Sequence, residues 1–125
     1  MRENAIAEQI IGAAIEVHRE LGPGLLESVY HRCMARELDM RKVMYKSELS
    51  IDAYYKGKEL PSAFRIDMLV MDKVIVEYKT VDKIVPLHAA QLLSYLKLSG
   101  KRLGLLINFN VPVLKQGIKR VVNNL

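Results

Sequence analysis

Two short apolar segments carry charges that buried strands do not ordinarily hold: Asp67 in FRIDMLV, and Glu77 with Lys79 in KVIVEYKT. Their neighbours, Ile66, Met68, Leu69 and Val70 in one and Val74, Ile75 and Val76 in the other, mark adjacent buried strands. A carboxylate left unpartnered in such surroundings costs several kcal/mol, so two acids and an ammonium placed there imply mutual pairing or a bound cation. Glu77 and Lys79 are two residues apart and leave the same face of their strand. Where Asp67 points depends on the connection. A two-residue turn at Asp72-Lys73 would set it opposite Tyr78, on the wrong face. A three-residue connection, Met71-Asp72-Lys73, sets it opposite Glu77 and gathers all three groups, and that is the register expected.

The chemistry that wants this trio is phosphodiester hydrolysis. Two carboxylates hold a hard cation such as Mg²⁺ or Mn²⁺, which polarises a phosphate and acidifies bound water. The lysine positions the attacking water or balances transition-state charge. A third acid, Glu27, comes from a helix far upstream; alone, it also reads as an early-helix acid that favours its helix dipole.

Composition narrows the setting. At 125 residues, half of them hydrophobic and 26% charged, the chain is expected to form one domain, residues 1–125. No apolar run reaches the roughly 20 residues that a bilayer requires. The stretch AIAEQIIGAAIEVHRE is interrupted by Glu8, Glu16 and His18 and reads as a core helix rather than a signal. A lone cysteine, Cys33, suits a reducing compartment, hence a cytoplasmic location. Charge is uneven: residues 1–82 hold all 14 acids and net −2, whereas residues 83–125 hold seven cations and no acid. Such asymmetry points to a polyanionic partner, with Lys119 and Arg120 among the residues expected to hold a phosphate backbone; the alternative is a solvated basic face.

Helical periodicity spans about 4–20 and ends at Gly22-Pro23-Gly24; a second helix follows over about 25–40. From Val43 the pattern turns to period two. It predicts a first strand, with a bulge, to about Tyr55, a second over about 59–71 and a third over about 73–80, forming an antiparallel meander. Pro86 opens a helix over about 87–99 that Gly100 ends. RLGLLINFN reads as a buried fourth strand, and LKQGIKRVVNN as a short helix or strand. The expected order is ααβββαβ, an α/β fold with a mixed four-stranded sheet flanked by helices.

Asp67, nine intervening residues, then Glu77-Tyr78-Lys79 resembles the D…E-x-K signature of the PD-(D/E)XK nuclease superfamily, whose restriction-endonuclease-like core runs αβββαβ. Gly24-Leu25-Leu26-Glu27-Ser28-Val29-Tyr30 resembles the motif that names a narrower group, the GxxExxY proteins, as do FRID at 64–67, HAAQLLSYL at 88–96 and GLLINF at 104–109. Tyr78 stands where that group more usually has leucine, and it points away from the active face. The resemblance implies Asp67, Glu77 and the Tyr78 main-chain carbonyl as metal ligands, Lys79 as the catalytic lysine, and Glu27 as the helix carboxylate of the site. Gln91-x-x-x-Tyr95 resembles the Q-x-x-x-Y motif of the RecB-like branch, which contacts the site or DNA.

Alternatives stand beside these roles. Tyr95 reads equally as a core residue, with Gln91 bonded to a sheet edge. His88, taken as the one histidine beside the site, is a possible proton carrier or a helix cap. Arg65 is either a phosphate clamp or a salt-bridge partner, and Tyr30 is a packing residue with a bonded hydroxyl. The reading that follows is a small Mg²⁺-dependent nuclease acting on DNA, drawing specificity from a homodimer or partner protein. The rivals are a non-catalytic nucleic-acid- or protein-binding module on a nuclease fold, and an interaction protein with a structural acid cluster.

Overall fold

The computed structural model describes residues 2–125. Helix α1 (Glu3–Leu21) buries Ile6, Ile10, Ala13, Ala14 and Val17 along one stripe and ends at Gly22, whose φ of 67° few other residues adopt. Helix α2 (Glu27–Met40) buries Tyr30, Met34 and Leu38. Strands β1 (Tyr45–Tyr55), β2 (Lys58–Val70) and β3 (Val74–Lys79) form the antiparallel meander. Helix α3 (Pro86–Ser99) then crosses over to β4 (Leu103–Asn108), which runs parallel to β3. Pro86 sits in the first turn of α3, and Gly100 closes it in the left-handed conformation.

The sheet has five strands in the order β1-β2-β3-β4-β5, not four. The C-terminal segment, read from sequence as a helix or a strand, is both. A 3₁₀ turn over Leu114–Gly117 leads into β5 (Ile118–Val122), antiparallel to β4. Gly117 makes that reversal possible, because a Cβ there would lie 2.1 Å from the Asn108 carbonyl oxygen.

Helices α1 and α2 cover one face of the sheet, packing on Met68, Val70, Val74, Val76, Tyr78 and the alternate residues of β4. Helix α3 covers the other, where Leu92 and Leu96 meet Leu69, Ile75 and Leu106. Tyr78 is fully buried on the α1/α2 face, as its strand position requires, and its hydroxyl donates to Met68 Sδ at 3.2 Å.

The β2–β3 register is the expected one. Met68 pairs with Val76, Leu69 with Ile75 and Val70 with Val74, leaving Met71-Asp72-Lys73 as the connection. One more step in that register sets Asp67 opposite Glu77. On its other side β2 keeps step with β1 through Ser47↔Met68 and Leu49↔Ile66, but Glu48 and Asp67 between them are unpaired, and Glu48 has φ of 50°. Both strands change face there. Tyr45 packs toward α1 and α2 whereas Leu49 and Ile51 pack toward α3; Met68 and Val70 pack toward α1 and α2 whereas Ile66 packs toward α3. The alternation of a flat strand is thus broken at Asp67 by a left-handed residue across from it.

Candidate active site

The β2–β3 ladder stops at Met68↔Val76. Beyond it, side chains take over the bonding. The Asp67 N–H donates to Glu77 Oε2 at 3.3 Å, and the Tyr78 N–H donates to Asp67 Oδ2 at 2.8 Å. A residue's N–H and C=O leave a strand on the same side, so the Tyr78 carbonyl also points into this opened seam. Glu77 is only 8% exposed, and Asp67 is half-buried.

Burial is the main force on the Glu77 carboxyl, pushing its pKa far above the carboxylate range; hydrogen bonding to Asp67 and repulsion by its charge add to this, and the Lys79 ammonium offsets only part. In this partly dry seam the nearby Asp67 charge favours the protonated form of Glu77. Glu27 opens α2 with its carboxyl facing the same seam. Its pKa is raised by burial and by Asp67, and lowered by Lys79 and His31. The loop before it is anchored by Tyr30, whose hydroxyl donates to the Gly22 carbonyl and accepts the Leu25 N–H, while its ring stacks on Phe109 at 4.5 Å. Tyr30 is therefore the packing residue with a bonded hydroxyl, and its place in the motif is to hold the turn that delivers Glu27.

The donor set suits a hard divalent cation: two carboxylates on adjacent strands and a main-chain carbonyl between them, all oxygen. Glu27 stands beside this pair without completing it. Among the described residues, no three His, Cys, Asp or Glu side chains are placed to hold one ion together. The three-acid cluster expected from sequence is thus an acid pair with a third carboxyl in electrostatic reach. The reason is local: Glu27 is exposed on the first turn of α2, whereas Asp67 and Glu77 are drawn together by strand register.

Other expected residues divide. Tyr95 lies beside the acids, whose charges, after burial, help to raise its hydroxyl pKa, and its ring stacks on Phe64 at 4.2 Å. Gln91, one turn earlier, is exposed. Arg65 and Asp67 line one shallow groove with Glu48 and Ile66, and the Arg65 guanidinium donates to the Glu48 carbonyl at 2.9 Å rather than to an acid side chain. Lys119 pairs across from Leu106, which itself lies beside Glu77, so it is level with the acids two strands away. Arg120 is not brought to the site. It turns to the opposite face, bonds Asn4 at the start of α1, and joins Arg2, Lys73 and Arg102 around a cleft at the other end of the sheet.

Of the two readings of His88, the structure shows the helix cap. His88 accepts the Val85 N–H at 3.1 Å through Nδ1 and caps α3. The histidine beside the site is His31, one turn after Glu27, its ring tilted on Tyr78 at 5.3 Å and its Nε2 3.3 Å from Ser47 Oγ. An acid and a histidine at i and i+4 on one helix was the available signal. Asn108 was also missed. Buried next to Lys79 across the β3–β4 pair, its side chain accepts the Val81 and Asn110 N–H groups and donates to the Val81 carbonyl, fixing the segment that leaves β3. The signal was a polar residue closing the run LGLLIN.

A sheet whose central parallel pair follows an antiparallel meander, with acids and a lysine at the strand end where the ladder opens, is a restriction-endonuclease-like fold. The chain belongs to the PD-(D/E)XK nuclease superfamily: a family model so described matches residues 4–121. No curated protein and no solved structure matches it. Among the described residues no helix is long and apolar enough to cross a membrane.

Proposed function

We propose that the protein is a Mg²⁺- or Mn²⁺-dependent nuclease that hydrolyses DNA phosphodiester bonds at the seam between β2 and β3. The observation that carries this reading is the Asp67–Glu77 pair in the opened ladder, with the Lys79 ammonium close enough to lower the pKa values of both Glu77 and Glu27. Asp67, Glu77 and the Tyr78 carbonyl would hold the cation, which when bound would supply Lewis acidity toward a phosphodiester. Lys79 leaves the same strand face as Glu77, orients the attacking water and offsets charge gathering on the phosphate. Glu27 faces the pair from α2, near enough to the Lys79 ammonium to be influenced by it, and Tyr95 closes the side toward α3. Residues 24–30, with Tyr30 bracing Glu27, support placing the chain with the GxxExxY proteins.

The test is incubation of the purified protein with labelled DNA and RNA of several structures in Mg²⁺, Mn²⁺ or EDTA. Cleavage of DNA that needs a divalent ion is expected. Replacing Lys79 with alanine should abolish cutting while leaving binding and melting temperature nearly unchanged. If binding and cutting fall together, Lys79 is a docking residue and its assignment to the water is wrong.

A further inference from the structure

The β1–β2 hairpin is longer than the sheet it belongs to. Strand β3 ends at Lys79, level with Arg65 of β2, yet β2 begins seven residues earlier, at Lys58. At about 3.3 Å per residue the hairpin therefore runs on for about 20 Å past the catalytic strand, on the side where the acids lie. Its root is firm. Phe64 stacks on Tyr95 at 4.2 Å and 4°, and Leu49 and Ile51 pack toward α3. Midway, a register shift after Ile51 is pinned by the Asp52 carboxylate, which accepts the Ser62 N–H at 2.8 Å.

The tip, by contrast, is largely exposed. Tyr54 and Tyr55 are 62% and 61% exposed, on opposite faces of the hairpin, and Lys56 lies 5.3 Å over the Tyr55 ring. Lys58 is exposed beside them. Exposed phenol rings on both faces of a braced arm, the one on Tyr55 shared with Lys56, give unpaired bases a stacking surface on either side while the lysine ammonium groups meet the phosphates. We infer that this arm binds a single-stranded stretch of the nucleic-acid substrate, several nucleotides from the scissile bond. The inference rests on the nuclease reading for the identity of the ligand. It adds a substrate class: nucleic acid with an unpaired segment, in preference to blunt duplex.

The experiment compares the wild type with the double substitution Tyr54→Ala/Tyr55→Ala, and with Tyr54→Phe/Tyr55→Phe, in EDTA so that no probe is consumed by metal-dependent cleavage. The probes are a labelled oligonucleotide of about 15 nucleotides, single-stranded, and the same sequence as a blunt duplex. The alanine variant is expected to keep its melting temperature and lose about 10- to 100-fold in affinity for the single strand, with less than about threefold lost on the duplex; the phenylalanine variant keeps the affinity. Equal losses on both probes, or none, overturn the arm's role. If wild-type protein cleaves DNA in Mg²⁺ while the alanine variant binds single strands normally, the arm proposal fails and the nuclease reading stands. If the wild type neither binds nor cleaves any nucleic acid, both fail.

Discussion

At the scale of single residues, Glu77 carries the clearest energetic signature. Its folded pKa is pushed up to about 9 from an ordinary 4.5. Between those values the folded state keeps a proton that the unfolded chain releases, so without metal the stability should fall as pH rises through this window. Chemical denaturation in EDTA from pH 5 to pH 9 checks this. Glu77→Gln should flatten the profile and raise stability at the alkaline end; an unchanged profile would show that Glu77 is not the titrating group. The acid–acid–lysine set was legible because strand alternation and loop parity together fix which side chains share a face. His31 and Asn108 were harder to read, because the local marks they leave, an i,i+4 spacing from Glu27 and a polar end to an apolar run, do not tell where the start of α2 and the end of β4 lie relative to the seam.

Among elements, β5 was the least legible. Its five residues follow a 3₁₀ turn, too short for a period-two pattern to stand out from a helical one. What commits the segment is Gly117, which lets the chain pass against the Asn108 carbonyl. Gly117→Ala should destabilise the fold by about 3 kcal/mol, the upper end for an overpacked site, since backbone rather than a movable side chain stands in the way. Thermal unfolding measures this. A loss below about 0.5 kcal/mol, the scale of an ordinary surface change, would mean that the turn relaxes freely. The break in alternation at Glu48 and Asp67 likewise escapes a sequence reading, because an isolated left-handed glutamate has no compositional mark.

For the whole molecule, order and layering followed from breakers and periodicity, but the distribution of charge did not follow from its place in the chain. The basic C-terminal residues divide between the two ends of the sheet, with Arg102 and Arg120 at the far cleft and Lys119 level with the acids. Neighbours in a strand face opposite ways, so a run of cations never makes one surface. The acid pair, in turn, would couple folding to ion binding if it holds the proposed cation. An ion that binds only the folded state stabilises it by mass action, so the melting temperature should rise with Mg²⁺ or Mn²⁺. Asp67→Asn or Glu77→Gln should remove the rise, and Glu27→Gln should retain most of it. A full loss in Glu27→Gln would make Glu27 a direct ligand.

The opened seam also turns two backbone amides into reporters. Inside the closed β2–β3 ladder an amide proton is protected by a carbonyl whose position the fold alone decides, but those of Asp67 and Tyr78 rest on carboxylates that a cation would pin. Their exchange with deuterated solvent should slow when Mg²⁺ is added, while that of Ile75 and Val76, inside the closed ladder, stays constant. Should the melting temperature rise with no change at these two amides, the ion binds somewhere else. Occupancy of the proposed metal site can in this way be followed residue by residue in the absence of any substrate.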